Sequence, residues 1–158
     1  MLKFVSLVVV ALLLIGPEQQ RSLCTSDEKI VFNCTLKNSK IVSLCSSREI
    51  TKETGYFQYR FGKPGKIELV FPKERDKSHQ AFKYTHYFRA QVDLTEISFT
   101  SEGHQYSIFD DYNGEERPAR TVQGVKVTPP NGKEVTLNCR ERAKADYSNL
   151  GEVFATEP

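Results

Sequence analysis

Along most of the chain, apolar residues return at every second position. Phe57, Tyr59 and Phe61 alternate with Gln58 and Arg60, and Ile67, Leu69 and Phe71 alternate in the same way. A period of two belongs to a strand with one buried face, whereas a helix would repeat near 3.6. Pairing Phe61 with Ile67, Tyr59 with Leu69 and Phe57 with Phe71 sets carbon against carbon, and it needs the five-residue loop Gly62-Lys63-Pro64-Gly65-Lys66. Ile97 and Phe99 face Ile108 and Tyr106 if Glu102-Gly103 makes a two-residue turn. Val125 and Val127 face Leu137 and Val135 across Pro130-Asn131-Gly132, where a type I turn closed by a left-handed glycine fits.

An earlier hairpin turns at Lys37-Asn38-Ser39, and the register that buries the most carbon sets Phe32 opposite Leu44 and Cys34 opposite Val42. Phe82 to Val92 reads as one long strand, with Phe82, Tyr84, His86 and Phe88 on one face and Lys83, Tyr87, Arg89 and Gln91 on the other. Pro72 to Gln80 is charged and irregular and reads as a solvated loop. The pattern predicts an all-β fold of about eight or nine short antiparallel strands, largely a meander, closed as a sandwich or barrel with the sandwich preferred. One β domain is expected over residues 21–140, with 141–158 a tail or a short C-terminal helix.

The first twenty residues change the picture. Lys3 precedes a run from Val5 to Ile15 without a charge, and Gly16-Pro17 then ends it. That is the layout of a secretory signal peptide, too short to span a bilayer comfortably. The 138 residues after residue 20 keep the net charge of +2, because Lys3 and Glu18 leave together. So even a balance does not argue for nucleic acid. No membrane span is expected once the signal is removed.

Four cysteines follow: Cys24, Cys34, Cys45 and Cys139. In an exported chain an even number reads as disulfides, and the wide spacing does not suit zinc, which favours close C-x-x-C pairs. The preferred hairpin register sends Cys45 to the face opposite Cys34. Cys139 shares the inward face of Val135 and Leu137 and can meet Cys34 in the core, leaving Cys24 for Cys45. A turn shifted by one residue puts Cys34 and Cys45 on the same face and revives the local bridge.

Candidate chemistry is thin. His79, His86 and His104 have no nucleophile and carboxylate in local reach, so no catalytic residue is assigned. Asp110, Asp111, Asn113 and Glu115 offer the oxygen ligands calcium prefers, but the loop pattern is met only as Asp111-x-Asn113-Gly114. No cofactor is expected. Arg60 on the outer face of its strand, Lys63 at the loop tip and Arg89 are the cations such a domain would offer to a partner.

The segments Ile30-Val31-Phe32-Asn33-Cys34, Ile41-Val42-Ser43-Leu44-Cys45 and Tyr59-Arg60-Phe61-Gly62-Lys63-Pro64-Gly65-Lys66-Ile67-Glu68-Leu69 resemble a group of small exported bacterial proteins of unassigned function. The resemblance covers about forty residues and, more loosely, Val135 to Cys139. It implies a periplasmic or extracellular β domain. The chain is also distantly similar to periplasmic lysozyme-inhibitor domains. Their S-G-x-x-Y element is met by Thr54-Gly55-Tyr56-Phe57-Gln58-Tyr59, with Thr for Ser and altered tyrosine spacing. No inhibitory residue carries over. The expectation is a non-enzymatic exported protein that binds a protein or cell-envelope ligand, with inhibition of a cell-wall hydrolase such as lysozyme as its specific form. The alternatives are a small hydrolase using carboxylates of residues 110–116 and a secreted factor acting on a host.

Overall fold

The computed structural model describes residues 21–154; the expected signal peptide, residues 1–20, lies outside them. The chain forms two five-stranded antiparallel sheets packed face to face. The first holds β1 (Lys29–Thr35), β2 (Ile41–Ser46), β3 (Phe57–Lys63) and β4 (Lys66–Phe71) as a meander. The second holds β5 (Lys83–Arg89), β6 (Val92–Ser101), β7 (His104–Asn113), β8 (Arg120–Thr128) and β9 (Val135–Asn138). The chain then returns to the first sheet, where β10 (Lys144–Ala145) pairs with β1, and a one-turn helix, α1 (Leu150–Val153), follows. Residues 141–154 are therefore built into the domain, and Leu150 and Val153 are buried.

Alternation works as the sequence suggests. Phe32, Leu44, Phe57 and Tyr59 from the first sheet meet Ile97, Phe99, Ile108 and Val125 from the second. Each such side chain withdrawn from water contributes about 1.5–3 kcal/mol. Aromatic rings fill the gap between sheets, with Phe99 stacked on Phe71 at 4.6 Å and on Tyr106 at 4.8 Å.

Three hairpin registers are as expected: Phe32 opposite Leu44, Ile97 opposite Ile108, and Val125 opposite Leu137. In the second, Glu102 and Gly103 both take positive φ, as a two-residue turn requires. In the third, Gly132 is not among the left-handed glycines; the loop closes instead through the Gly132 N–H donating to the Pro129 carbonyl.

The β3–β4 hairpin differs. Its turn is the two residues Pro64-Gly65, so Phe61 faces Leu69 and Tyr59 faces Phe71, while Gly62 faces Ile67 with Glu68 as an extra residue between. The shift of two keeps Leu69 and Phe71 on the inner face with Phe61 and Tyr59, but the extra residue Glu68 turns Ile67, expected inward, to the side of Gly62 at the exposed turn, 46% accessible. Gly62 makes the bulge fit: its φ is +144°, and a Cβ there would lie 2.5 Å from the Lys66 carbonyl oxygen. Gly62→Ala is accordingly expected to lose about 1–3 kcal/mol. An unchanged urea midpoint would show that the bulge relaxes freely.

The expected strand Phe82–Val92 is divided. β5 ends at Arg89, and Ala90-Gln91 turn the chain into β6, with Gln91 at φ 66°. No Gly, Pro or Asn announces this turn; the Gly114 N–H stabilises it from outside, donating to the Gln91 carbonyl at 2.7 Å. The Pro72–Gln80 segment is also less open than expected. Ser78 and His79 are buried within a 3-10 turn over Ser78–Ala81, and the His79 ring reaches the Gly55 and Lys52 carbonyls.

Both disulfides follow the preferred pairing, Cys34–Cys139 and Cys24–Cys45. The first ties the chain leaving β9 to the core of the first sheet. The second pins residues 21–28 across the outer face of that sheet, where Leu23 is buried. Two disulfides point to an oxidising compartment outside the cytoplasm. No helix among the described residues is long and apolar enough to cross a membrane.

Candidate functional site

The hairpin registers align the inner face of the second sheet row by row. Tyr84 faces Ile97, Ile97 faces Ile108, and Ile108 faces Val125, an apolar row under the first sheet. Two residues further the row reads His86, Thr95, Asp110 and Gln123, and the next reads Phe88, Asp93, Tyr112 and Thr121. The same face thus turns from carbon to polar groups as it emerges from its cover. Phe88 is 71% exposed and Tyr112 41%.

This end of the sheet floors a cleft of about 390 Å³, lined by Asp93, Asp110, Tyr112, Gln123, Arg142 and Tyr147 among others. Such a volume is that of an ordinary small-ligand site. Its wall is the returning segment 142–147, held by the Ala143 N–H donating to Gln123 Oε1 at 2.8 Å and by the Tyr147 hydroxyl donating to Asp110 Oδ2 at 3.2 Å. Burial drives the Tyr147 hydroxyl well above the usual phenol range, and the charge and hydrogen bond of Asp110 push it further. It therefore stays a proton donor. Across the cleft, His86 Nε2 lies 2.8 Å from Asp93 Oδ1. Along β5 the rings of Tyr84, His86 and Phe88 form a row with centroids 6.3 and 6.4 Å apart.

The sequence-predicted residues fall elsewhere, with one exception. Asp110 does line the cleft, but Asp111 is its chain neighbour on β7 and points to the other face. There burial, followed by the charges of Asp110 and Glu96, raises the Asp111 carboxyl against the opposing pull of Lys126. Asn113 shares that outer face and accepts the Glu115 N–H, while Glu115 pairs with Arg89. Asp110, Asp111, Asn113 and Glu115 therefore do not converge on one point as a calcium site or a paired-carboxylate site would require. Alternation along β7 sends Asp110 and Asp111 to opposite faces, and Glu115, in the turn after β7, is taken by Arg89.

Of the three cations expected to meet a partner, Lys63 is exposed at the β3–β4 turn, and Arg89 is exposed but engaged by Glu115 in two contacts. Arg60 is a correction. It does face away from Phe57 and Tyr59, yet it is 4% accessible because residues 21–28 cover that face. Its guanidinium donates to both oxygens of Glu28 at 2.7 Å, to the Leu23 carbonyl, and to Gln58. Burial alone would raise the Glu28 carboxyl. Hydrogen bonds from Arg60, the Thr25 N–H and Tyr56, with the Arg60 charge, prevail and hold it at about 2. Glu28, Cys24 and Cys45 carry closely spaced ligand atoms, but the sulfurs are spent on their disulfide and the carboxylate on Arg60.

Sequence reading missed Asp93, Tyr112, Gln123, Arg142 and Tyr147 as members of one site. The signal was present in the registers, which place polar residues in successive rows on a face that begins apolar, but the missed Ala90-Gln91 turn hid β6 from β5. The chain matches no protein-family model, no curated protein and no solved structure.

Proposed function

We propose that this protein is an exported, non-enzymatic binding protein, working in the periplasm or outside the cell, which presents the uncovered end of its second sheet to a ligand of the cell envelope. The observation that carries this reading is Phe88: a large apolar ring, 71% exposed, beside a cleft of convergent polar groups. A ring this exposed beside convergent polar groups buries little in the fold, which fits a surface kept for contact. The test is sedimentation with isolated bacterial cell envelopes. The wild-type protein is expected to co-sediment, and a Phe88→Ser, Tyr112→Ser double variant to remain in solution. Equal sedimentation of the two would sink the reading.

The narrower form, inhibition of a cell-wall hydrolase, carries its own check. Lysozyme turnover is expected to fall when the protein is added at micromolar level, and unchanged turnover removes that form while leaving the binding reading in place. A second reading, a small hydrolase, gains one specific support: Asp93 and Asp110 share the cleft, although each is already tied to His86 or Tyr147. If it holds, Asp110→Asn abolishes hydrolysis of a substrate that the wild type cleaves.

A further inference from the structure

We infer that the cleft beside β5 takes a neutral oligosaccharide, an inference that rests on the binding reading above and names its ligand class. The lining holds both signs, the carboxylates Asp93 and Asp110 against the Arg142 guanidinium, so neither a simple anion nor a simple cation is complemented. What it offers instead is an alternation of acceptors and donors. Asp93 Oδ1 is taken by His86 and Asp110 Oδ2 by Tyr147, which leaves Asp93 Oδ2 and Asp110 Oδ1 without a protein donor among the described residues. Gln123 is 8% accessible and lines the cleft; its oxygen accepts the Ala143 N–H, while its amide nitrogen has no protein acceptor among the described residues. That amide nitrogen is open to the cleft and free to donate to a ligand oxygen. Hydroxyl groups answer both needs, since each donates to a carboxylate and accepts from an amide or guanidinium.

The second half of the match is apolar. Phe88 continues the ring row of Tyr84 and His86 along the edge strand, and Tyr112 lies in the same row of the sheet on β7. A pyranose ring has an apolar face of axial C–H groups and a rim of hydroxyls, so it can lie on these rings while its rim reaches the cleft. An open row at a sheet edge admits a chain of such rings rather than a single one.

The experiment is titration of the intact protein with chitotetraose, cellotetraose and maltotetraose, followed by two-dimensional amide NMR. At least one tetrasaccharide is expected to give saturable shifts confined to the β5–β8 end, and Phe88→Ala to weaken that binding about tenfold. Because Phe88 is exposed, the variant's remaining spectrum should be unchanged and reports that it is folded. Spermidine and citrate, as charged probes, should produce no saturable shift there. The inference is overturned if none of the three sugars saturates by about 10 mM, well past the weak end of single-site affinities, if Phe88→Ala leaves the affinity intact, or if spermidine or citrate binds in their place. Envelope sedimentation lost in the cleft variant, with no sugar bound, would reject the ligand class and keep the binding face. Loss of neither would reject both.

Discussion

Arg60→Leu is expected to lower folding stability by about 3–5 kcal/mol, the cost typical of stranding one member of a buried ion pair. The Glu28 side chain is wholly inaccessible, and Arg60 supplies two of the hydrogen bonds that compensate its charge. With leucine in place, the Thr25 N–H and the Tyr56 hydroxyl remain, and Arg75 stands 3.5 Å away at the surface. Those are too few to solvate a carboxylate beneath residues 21–28. The Leu23 carbonyl and the Gln58 oxygen lose their donors as well. Removing both charges in Arg60→Leu, Glu28→Leu should restore much of the loss, since an apolar pair of similar volume is often no worse than a buried ion pair. Urea midpoints of the three proteins decide it, and a single variant within 1 kcal/mol of wild type, roughly the value of a surface pair, would show the pair to be surface-like.

The same pair gives the acid response. The Glu28 carboxyl is held at about 2 in the folded chain against an ordinary 4.5, so the unfolded chain binds the proton first. Its stabilisation is complete above pH 4.5 and is lost as pH falls towards 2. Wild-type stability should therefore decline through that window, and the double leucine variant should decline less.

Removing the Cys34–Cys139 bridge is the second large effect. It closes a span of 105 residues, against 21 for Cys24–Cys45. Loop closure of about 100 residues corresponds to about 4.7 kcal/mol and of about 15 residues to about 3 kcal/mol, if the constraint acts on the unfolded chain. Cys34→Ala, Cys139→Ala should accordingly cost about 4 kcal/mol. Cys34 is fully buried within β1 opposite Val42, so its loss also thins the packing around Leu36 and Val42. A decrease below about 1 kcal/mol, too small for any cross-link of this span, would mean that the sheets hold together by packing alone.

The fold was largely legible because burial on one face writes a period of two into the strands. Phe32, Ile97 and Val125 found their partners by that rule alone. The errors have local causes. Pro64-Gly65 and a bulge at Glu68 displaced one hairpin by two residues, a shift that alternation cannot detect. Ala90-Gln91 turns without turn chemistry because Gly114, more than twenty positions away, caps it. Arg60 was assigned the correct face and the wrong environment. Its cover is a short irregular segment with no periodicity to read, although the placement of Cys45 on that face was a hint that something is fastened there. The cleft was harder still, because its members come from three strands and the returning segment, and each is unremarkable in its own stretch of sequence.

The bridge pattern also bears on how the chain is made. If it emerges from its translocation channel N-terminus first, Cys24 and Cys34 reach the oxidant before Cys45, while the natural partner of Cys34 is still 105 residues behind. Pairing in order of arrival joins Cys24 to Cys34, and that bond must be undone by thiol–disulfide exchange before either native bridge can exist. Yield in the oxidising compartment should then depend on a disulfide isomerase rather than on oxidising power alone.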